Sequence, residues 1–258
     1  MAHQRLAVSR KFATAVERVR WAQEDIEELK FQVSLFFSSH PYKRVAKLDA
    51  KGIYMLDKIK FTSRLPPRIT KLTVSSVENL RAALDHGACA VVPRKYMNRT
   101  SFPFGDTRRE FLDHLKSKAK HMLDEIKSVL MRFKPYKRGN PPLWALNKIC
   151  NTHKHRTIVH PGIDIRKPEF VAGRDLDEAI FHYHTPAWDR RKNEIIISRM
   201  VGHTTVHHDI DMSLGIAFGD VQAFRGKPVL AVLRYLARKV ECILWATESE
   251  ARRIGIVR

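Results

Sequence analysis

The chain has 258 residues, 44% of them hydrophobic and 29% charged, which are globular proportions and exclude a largely disordered or fibrous protein. Its 47 Lys and Arg against 27 Asp and Glu leave a formal net charge of +20, a field that gathers polyanions and turns cationic partners away. No apolar run reaches membrane-spanning length, so no membrane association is expected. Arg5, Arg10 and Lys11 interrupt any secretory leader, and the widely spaced Cys89, Cys150 and Cys242 predict buried thiols in a reducing cytoplasm.

From about Ser9 to Ser39, apolar residues such as Phe12, Val19, Ile26 and Phe36 recur at helical spacing, and His40-Pro41 stops the run. Tyr42 to Arg64 alternates around Lys51-Gly52 and predicts a β-hairpin. Pro66-Pro67 opens a second helix, because a proline in the first turn has no N–H to leave unpaired; its stripe runs through Leu72, Leu80 and Leu84 and ends near Pro93. After a loop through Phe102-Pro-Phe-Gly105, a third helix is expected from Phe111 to Phe133. Lys134 to Pro142 punctuates it, and a fourth helix carries Leu143, Leu146 and Ile149 into Asn151-Thr-His-Lys-His-Arg156.

From Thr157 to about Gly219, short β-type runs such as Glu194 to Val201 alternate with glycines, which predicts an antiparallel sheet. Pro228 opens a last helix whose stripe of Val232, Leu236, Val240 and Ile243 needs the N-terminal helices as partners. The expected class is therefore α+β: a helical bundle of long amphipathic helices with an antiparallel β segment before the C-terminal helix. One domain over 1–258 is expected. It divides into a helical core at 1–156 with its hairpin near 42–64, a β-rich segment at 157–219, and a helix at 226–253 packing back on the core.

Within the second helix stands Leu80-Arg81-Ala-Ala-Leu-Asp85-His86. The Arg-x4-His spacing of Arg81 and His86 resembles the signature of HEPN domains, helical bundles that are often RNases. Over residues 10–160 the chain also resembles an uncharacterised prokaryotic family with an LRxALDH helix (Leu80–His86), a KPY turn (Lys134–Tyr136) and an NxxKHR helix end (Asn151–Arg156). The HEPN resemblance implies metal-independent RNA cleavage by the ribose 2′-OH, with Arg81 and His86 catalytic in a homodimer that brings two motifs together. A histidine titrating near neutrality suits proton transfer, and an arginine fork suits phosphorane oxygens. Ala82 departs from the polar residue usual at that place.

Helix geometry offers another account. Arg81 and His86 are about 140° apart around the axis, whereas Arg81 and Asp85 share a face and can form an ion pair. His86 lies in line with Asn79 beside Ala83 and Ala90, where it would be a hydrogen-bonded core histidine. Asn79, Asp85, Asn151 and His155 are the supporting residues under either account.

Between Glu125 and Asp164 there is no acidic residue, and Lys134, Lys137, Arg138, Lys154 and Arg156 are the expected phosphate contacts. His153 to Arg156 also fall where cations complement a helix C-terminus. In the β segment, His182 and His184 alternate as a strand-borne chelating pair would, the low-ranking metal alternative to a chain that otherwise calls for no metal and no cofactor. The leading expectation is an RNA-directed, HEPN-like endoribonuclease of toxin or defence type. The rivals are a non-catalytic nucleic-acid-binding or scaffold protein, with these motifs as a polar core network, and a metal-dependent enzyme using the β-segment histidines.

Overall fold

Apolar stripes at helical spacing become helices that bury them against one another. In the computed structural model, which describes residues 8–155, 161–170, 181–189, 191–201, 210–218, 224 and 227–257, α1 (Ala13–Ser38) and α2 (Pro67–Ala90) pack side by side. α6 (Val229–Arg253) lies against both and also meets α4 (Asp124–Phe133). Phe12, Leu80, Leu84, Leu233, Leu236 and Val240 are completely enclosed where these helices meet. Each such side chain contributes roughly 1.5–3 kcal/mol by leaving water. Gly87 sets how closely α2 and α6 approach, since a Cβ built there would meet Leu244 Cδ2 at 2.4 Å.

The α+β class holds. α2 starts at Pro67, the first residue of α6 follows Pro228, and α5 (Pro141–His155) begins at the paired prolines, with the side chain of Asn140 accepting from Leu143 N–H at 3.3 Å. The expected third helix is broken in two. α3 spans Arg108–Ser117, and α4 resumes at Asp124. Between them Ala119 and Met122 turn into the core, and the Met122 N–H bonds back to the Ala119 carbonyl. The helical apolar spacing survives the break, so periodicity alone does not reveal it. Thr107 caps α3 by accepting from Glu110 N–H at 3.1 Å, and Asp124 and Glu125 complement the N-terminus of α4. A 3₁₀ turn, Arg94–Arg99, occupies the connection expected to be plain loop.

The hairpin is β1 (Tyr42–Leu48) and β2 (Tyr54–Phe61), turning at Gly52 with φ +69°, a left-handed conformation that glycine adopts without strain. After β3 (Pro161–Phe170) come β4 (Phe181–Asp189), β5 (Glu194–Val201) and β6 (Ile210–Phe218). One antiparallel sheet runs β1-β2-β5-β4, so the hairpin shares a sheet with two strands of the late β segment; β3 and β6 pair separately. β2 is fastened on both sides. Asp57, 3% exposed, receives a two-pronged contact from Arg44 of β1, and Lys58 pairs with Glu194 of β5 at 2.9 Å.

Cys150 is buried and Cys89 half-buried, but Cys242 is exposed, a correction to the expected three buried thiols. Ile243 and Leu244 take the inner face of α6 and leave position 242 outside. No described helix is long and apolar enough to cross a membrane.

Candidate functional site

The LRxALDH stretch sits in the C-terminal half of α2, and its polar residues face different neighbours. Arg81 points toward α5 and the Phe102–Gly105 loop. Its Nε donates to Asn147 Oδ1 at 3.0 Å, and its guanidinium lies 4.6 Å from the centre of the Phe104 ring. Nη1 is 2.5 Å from Asp85 Oδ2, in ion-pair contact without the alignment of a hydrogen bond. Asp85 uses its other oxygen to accept from Phe102 N–H at 2.9 Å. With 14% of its side chain exposed, Arg81 fastens α2, the loop and α5 together. The i,i+4 ion pair visible in the sequence is thus one contact of a larger, part-buried network.

His86 is on the other flank of α2. Asn79, one heptad earlier, faces α1, where its Oδ1 accepts from Arg18 Nη1 at 3.0 Å. His86 itself is half-buried and forms no hydrogen bond or ion pair among the described residues. Arg81 and Asp85 are brought together. Arg81 and His86 are not, and no hydrogen bond links them.

The Lys134–Arg138 turn is built by its backbone. Lys134 caps α4 in the left-handed region at φ 49°, Gly105 N–H donates to the Pro135 carbonyl at 3.1 Å, and the Asn140 side-chain amide donates to the Phe133 carbonyl at 3.0 Å. Lys134, Lys137 and Arg138 are all exposed. Beside them, Trp144 of α5 is held in place by its indole N–H, which donates to Asp106 Oδ1 at 2.8 Å. Lys148 reaches the other Asp106 oxygen at 2.7 Å. The ammonium groups of Lys137 and Lys148 lie 5.4 and 5.9 Å from the indole centre, within cation–π range. Asn147, Trp144, Asp106 and Phe104 escape sequence reasoning; only the position of Asn147, one turn before Asn151, offers a hint.

Partial burial raises the Asp106 carboxyl, but hydrogen bonds from Lys148 and Trp144 outweigh it and hold the group below its ordinary range. A lowered folded pKa stabilises the fold above the unfolded value of about 3.9, and that contribution disappears as the pH falls through the folded value. Asp106→Asn should therefore lose stability at neutral pH and show a flatter acid limb below about pH 4 than wild type. Urea midpoints across pH 2.5 to 7 check this, and parallel curves would refute it.

Asn151 is exposed on α5, one turn beyond Asn147. His153, Lys154 and His155 fall in the last turn of α5, where the backbone alone is described, and Arg156 lies outside the described residues. His182 and His184 occupy alternate positions of β4, likewise described by its backbone. Among the described residues, no three His, Cys, Asp or Glu side chains converge as a metal site. The chain matches no protein-family model, no curated protein and no solved structure, so a functional reading rests on its own residues.

Proposed function

We propose that this chain is a cytoplasmic RNA-binding protein that takes its ligand on a basic, aromatic face and uses the Arg81 network as internal scaffolding. The observation that carries this reading is the Trp144 cluster. An indole ring pinned by Asp106 has the ammonium groups of Lys137 and Lys148 within cation–π range, and Lys137 shares its turn with the exposed Lys134 and Arg138. A ring fixed in this way can stack on a base of any identity, while the surrounding cations meet phosphates. The net charge of +20 favours such a ligand at long range, and the three cysteines are free thiols, as a reducing compartment keeps them. Arg81 supports scaffolding over catalysis because its Nε, its ion pair with Asp85 and its guanidinium face on Phe104 are all directed into the fold.

Binding of a fluorescent single-stranded RNA 20-mer, followed by anisotropy over a series of salt concentrations, tests the reading. Trp144→Ala should weaken binding on the order of tenfold. Lys137→Gln with Arg138→Gln should reduce the slope of log K against log salt by about 1.4. Wild-type affinity that is absent or insensitive to salt would defeat it.

A second reading, the metal-independent endoribonuclease, is favoured by His86, whose half-buried imidazole has no hydrogen-bond partner among the described residues. It needs a second copy of the chain to supply the phosphate-binding cation, because Arg81 of the same helix faces away. Cleavage of the 20-mer in chelator by wild type, lost in His86→Ala, would establish it, and an intact 20-mer with both proteins would remove it.

A further inference from the structure

Two basic stretches that are separate in the chain meet at the C-terminal end of α2. One contains the 3₁₀ turn Arg94–Arg99, within a run that has no acidic residue between Asp85 and Asp106. The other joins α3 to α4, within a run that has none between Asp113 and Asp124. The rings of Tyr96 and His121 connect them, stacked with centroids 3.7 Å apart and planes within 4° of parallel. Ser101 N–H adds a hydrogen bond to the Lys118 carbonyl at 3.3 Å.

This junction presents Arg94, Lys95 and Arg99 from one stretch and Lys116, Lys118 and Lys120 from the other. All six are exposed, and none forms an ion pair among the described residues. Three of the four acids that border the two runs are already engaged: Asp85 with Arg81, Asp106 with Lys148 and Asp124 with Lys127. Asp113, exposed on α3, is the fourth. The positive charge is therefore largely uncompensated where it stands.

The turn is also anchored from behind. Burial, reinforced by the Asp85 carboxylate, pushes the Cys89 thiol up, so it stays protonated. Its S–H contacts the carbonyls of Met97 and Thr100 at 3.4 and 3.5 Å. Thr100 Oγ1 donates to the Tyr96 carbonyl at 2.9 Å. Cations on an anchored turn lose less backbone freedom when they bind than cations on a loose loop.

We propose that this six-cation face is the track that holds the phosphodiester backbone of single-stranded RNA, an inference that rests on the RNA reading above and adds phosphate contacts from residues outside the Lys134–Arg156 run. Lys148, by contrast, is committed to Asp106. Tyr96 and His121 position the two halves of the track. Their rings are stacked on each other.

The test uses the full chain and the same RNA 20-mer. Lys95, Arg99, Lys118 and Lys120 are changed together to Gln, and a control changes Lys43, Lys47, Lys51 and Lys60 of the hairpin, four exposed lysines with the same total charge. Melting curves confirm that both variants fold. The track variant should lose at least tenfold in affinity, its salt slope should fall by about 3, and the control should change less than threefold. Tyr96→Leu should weaken binding, and Tyr96→Phe, which keeps the stacked ring, should restore it. Equal losses in the two quadruple variants, or no loss in the track variant, would overturn the track while leaving the RNA reading intact. Wild type that ignores RNA overturns both. Wild type that ignores RNA but binds phosphatidylserine-containing vesicles through the same four residues would reassign the face to anionic lipid.

Discussion

Arg81→Ala is expected to lower the stability of the fold by about 2–3 kcal/mol while leaving RNA affinity unchanged at temperatures where the variant is folded. The guanidinium serves Asn147, Asp85 and the Phe104 ring at once from a site that is 14% exposed. Its removal leaves the Asn147 carbonyl oxygen without that donor and Asp85 without its cation. Asp85 is 38% exposed and keeps the Phe102 N–H, so water recovers part of the loss and the cost stays below that of a fully buried pair. Arg81→Lys should recover little, because an ammonium group lacks the planar fork that serves two acceptors and lies on a ring. Urea unfolding of wild type, the two variants and Asn147→Ala checks this. The double variant Arg81→Ala/Asn147→Ala should lose less than the sum of its parts. A change under 0.5 kcal/mol, accompanied by loss of RNA turnover, would make Arg81 a catalytic residue after all.

Gly105→Ala should cost about 3 kcal/mol and lower the melting temperature by roughly 6–12 °C. A Cβ there would lie 2.4 Å from Phe111 N, 2.7 Å from the Thr107 carbonyl oxygen and 2.8 Å from Phe111 Cα. All three are backbone atoms at the start of α3, so no side chain can swing aside to make room. Gly105 also joins two networks: Phe104 before it underlies Arg81, and Asp106 after it holds Trp144 and Lys148. The same substitution should therefore weaken RNA binding where Trp144 contributes. Gly52→Asn is the control, because nothing lies within 4 Å of a Cβ at that position and asparagine tolerates its left-handed backbone. Similar melting temperatures for the two variants would contradict the steric account.

Features decided within one turn of chain are readable from the residues. Pro67 and Pro228 mark helix starts because proline's missing N–H matters least there, and Lys51-Gly52 marks a turn because glycine accepts positive φ. The break between α3 and α4 is hidden, since Phe111, Leu115, Met122 and Ile126 keep helical spacing across it while the chain turns inward at Ala119. The Thr107 cap on Glu110 N–H, which sets the start of α3, emerges only in the fold. In the candidate site, Arg81 and Asp85 are legible as an i,i+4 pair. Phe104 and Asn147 are not, because loop and helix reach Arg81 only through the tertiary fold. The six-cation face is equally non-local, arising where Tyr96 meets His121. The sheet is the extreme case, since nothing near Tyr54 names β5 as its partner.

That pairing has a cost in time on the ribosome. Phe61 ends β2, and Glu194 begins the strand that covers its open edge. At ordinary elongation rates, synthesis of the intervening chain takes about 10 s, during which the backbone groups along β2 have only β1 beside them. The lysines on that hairpin would repel a second nascent copy during the interval, so charge spent on the edge guards the strand until its own partner arrives.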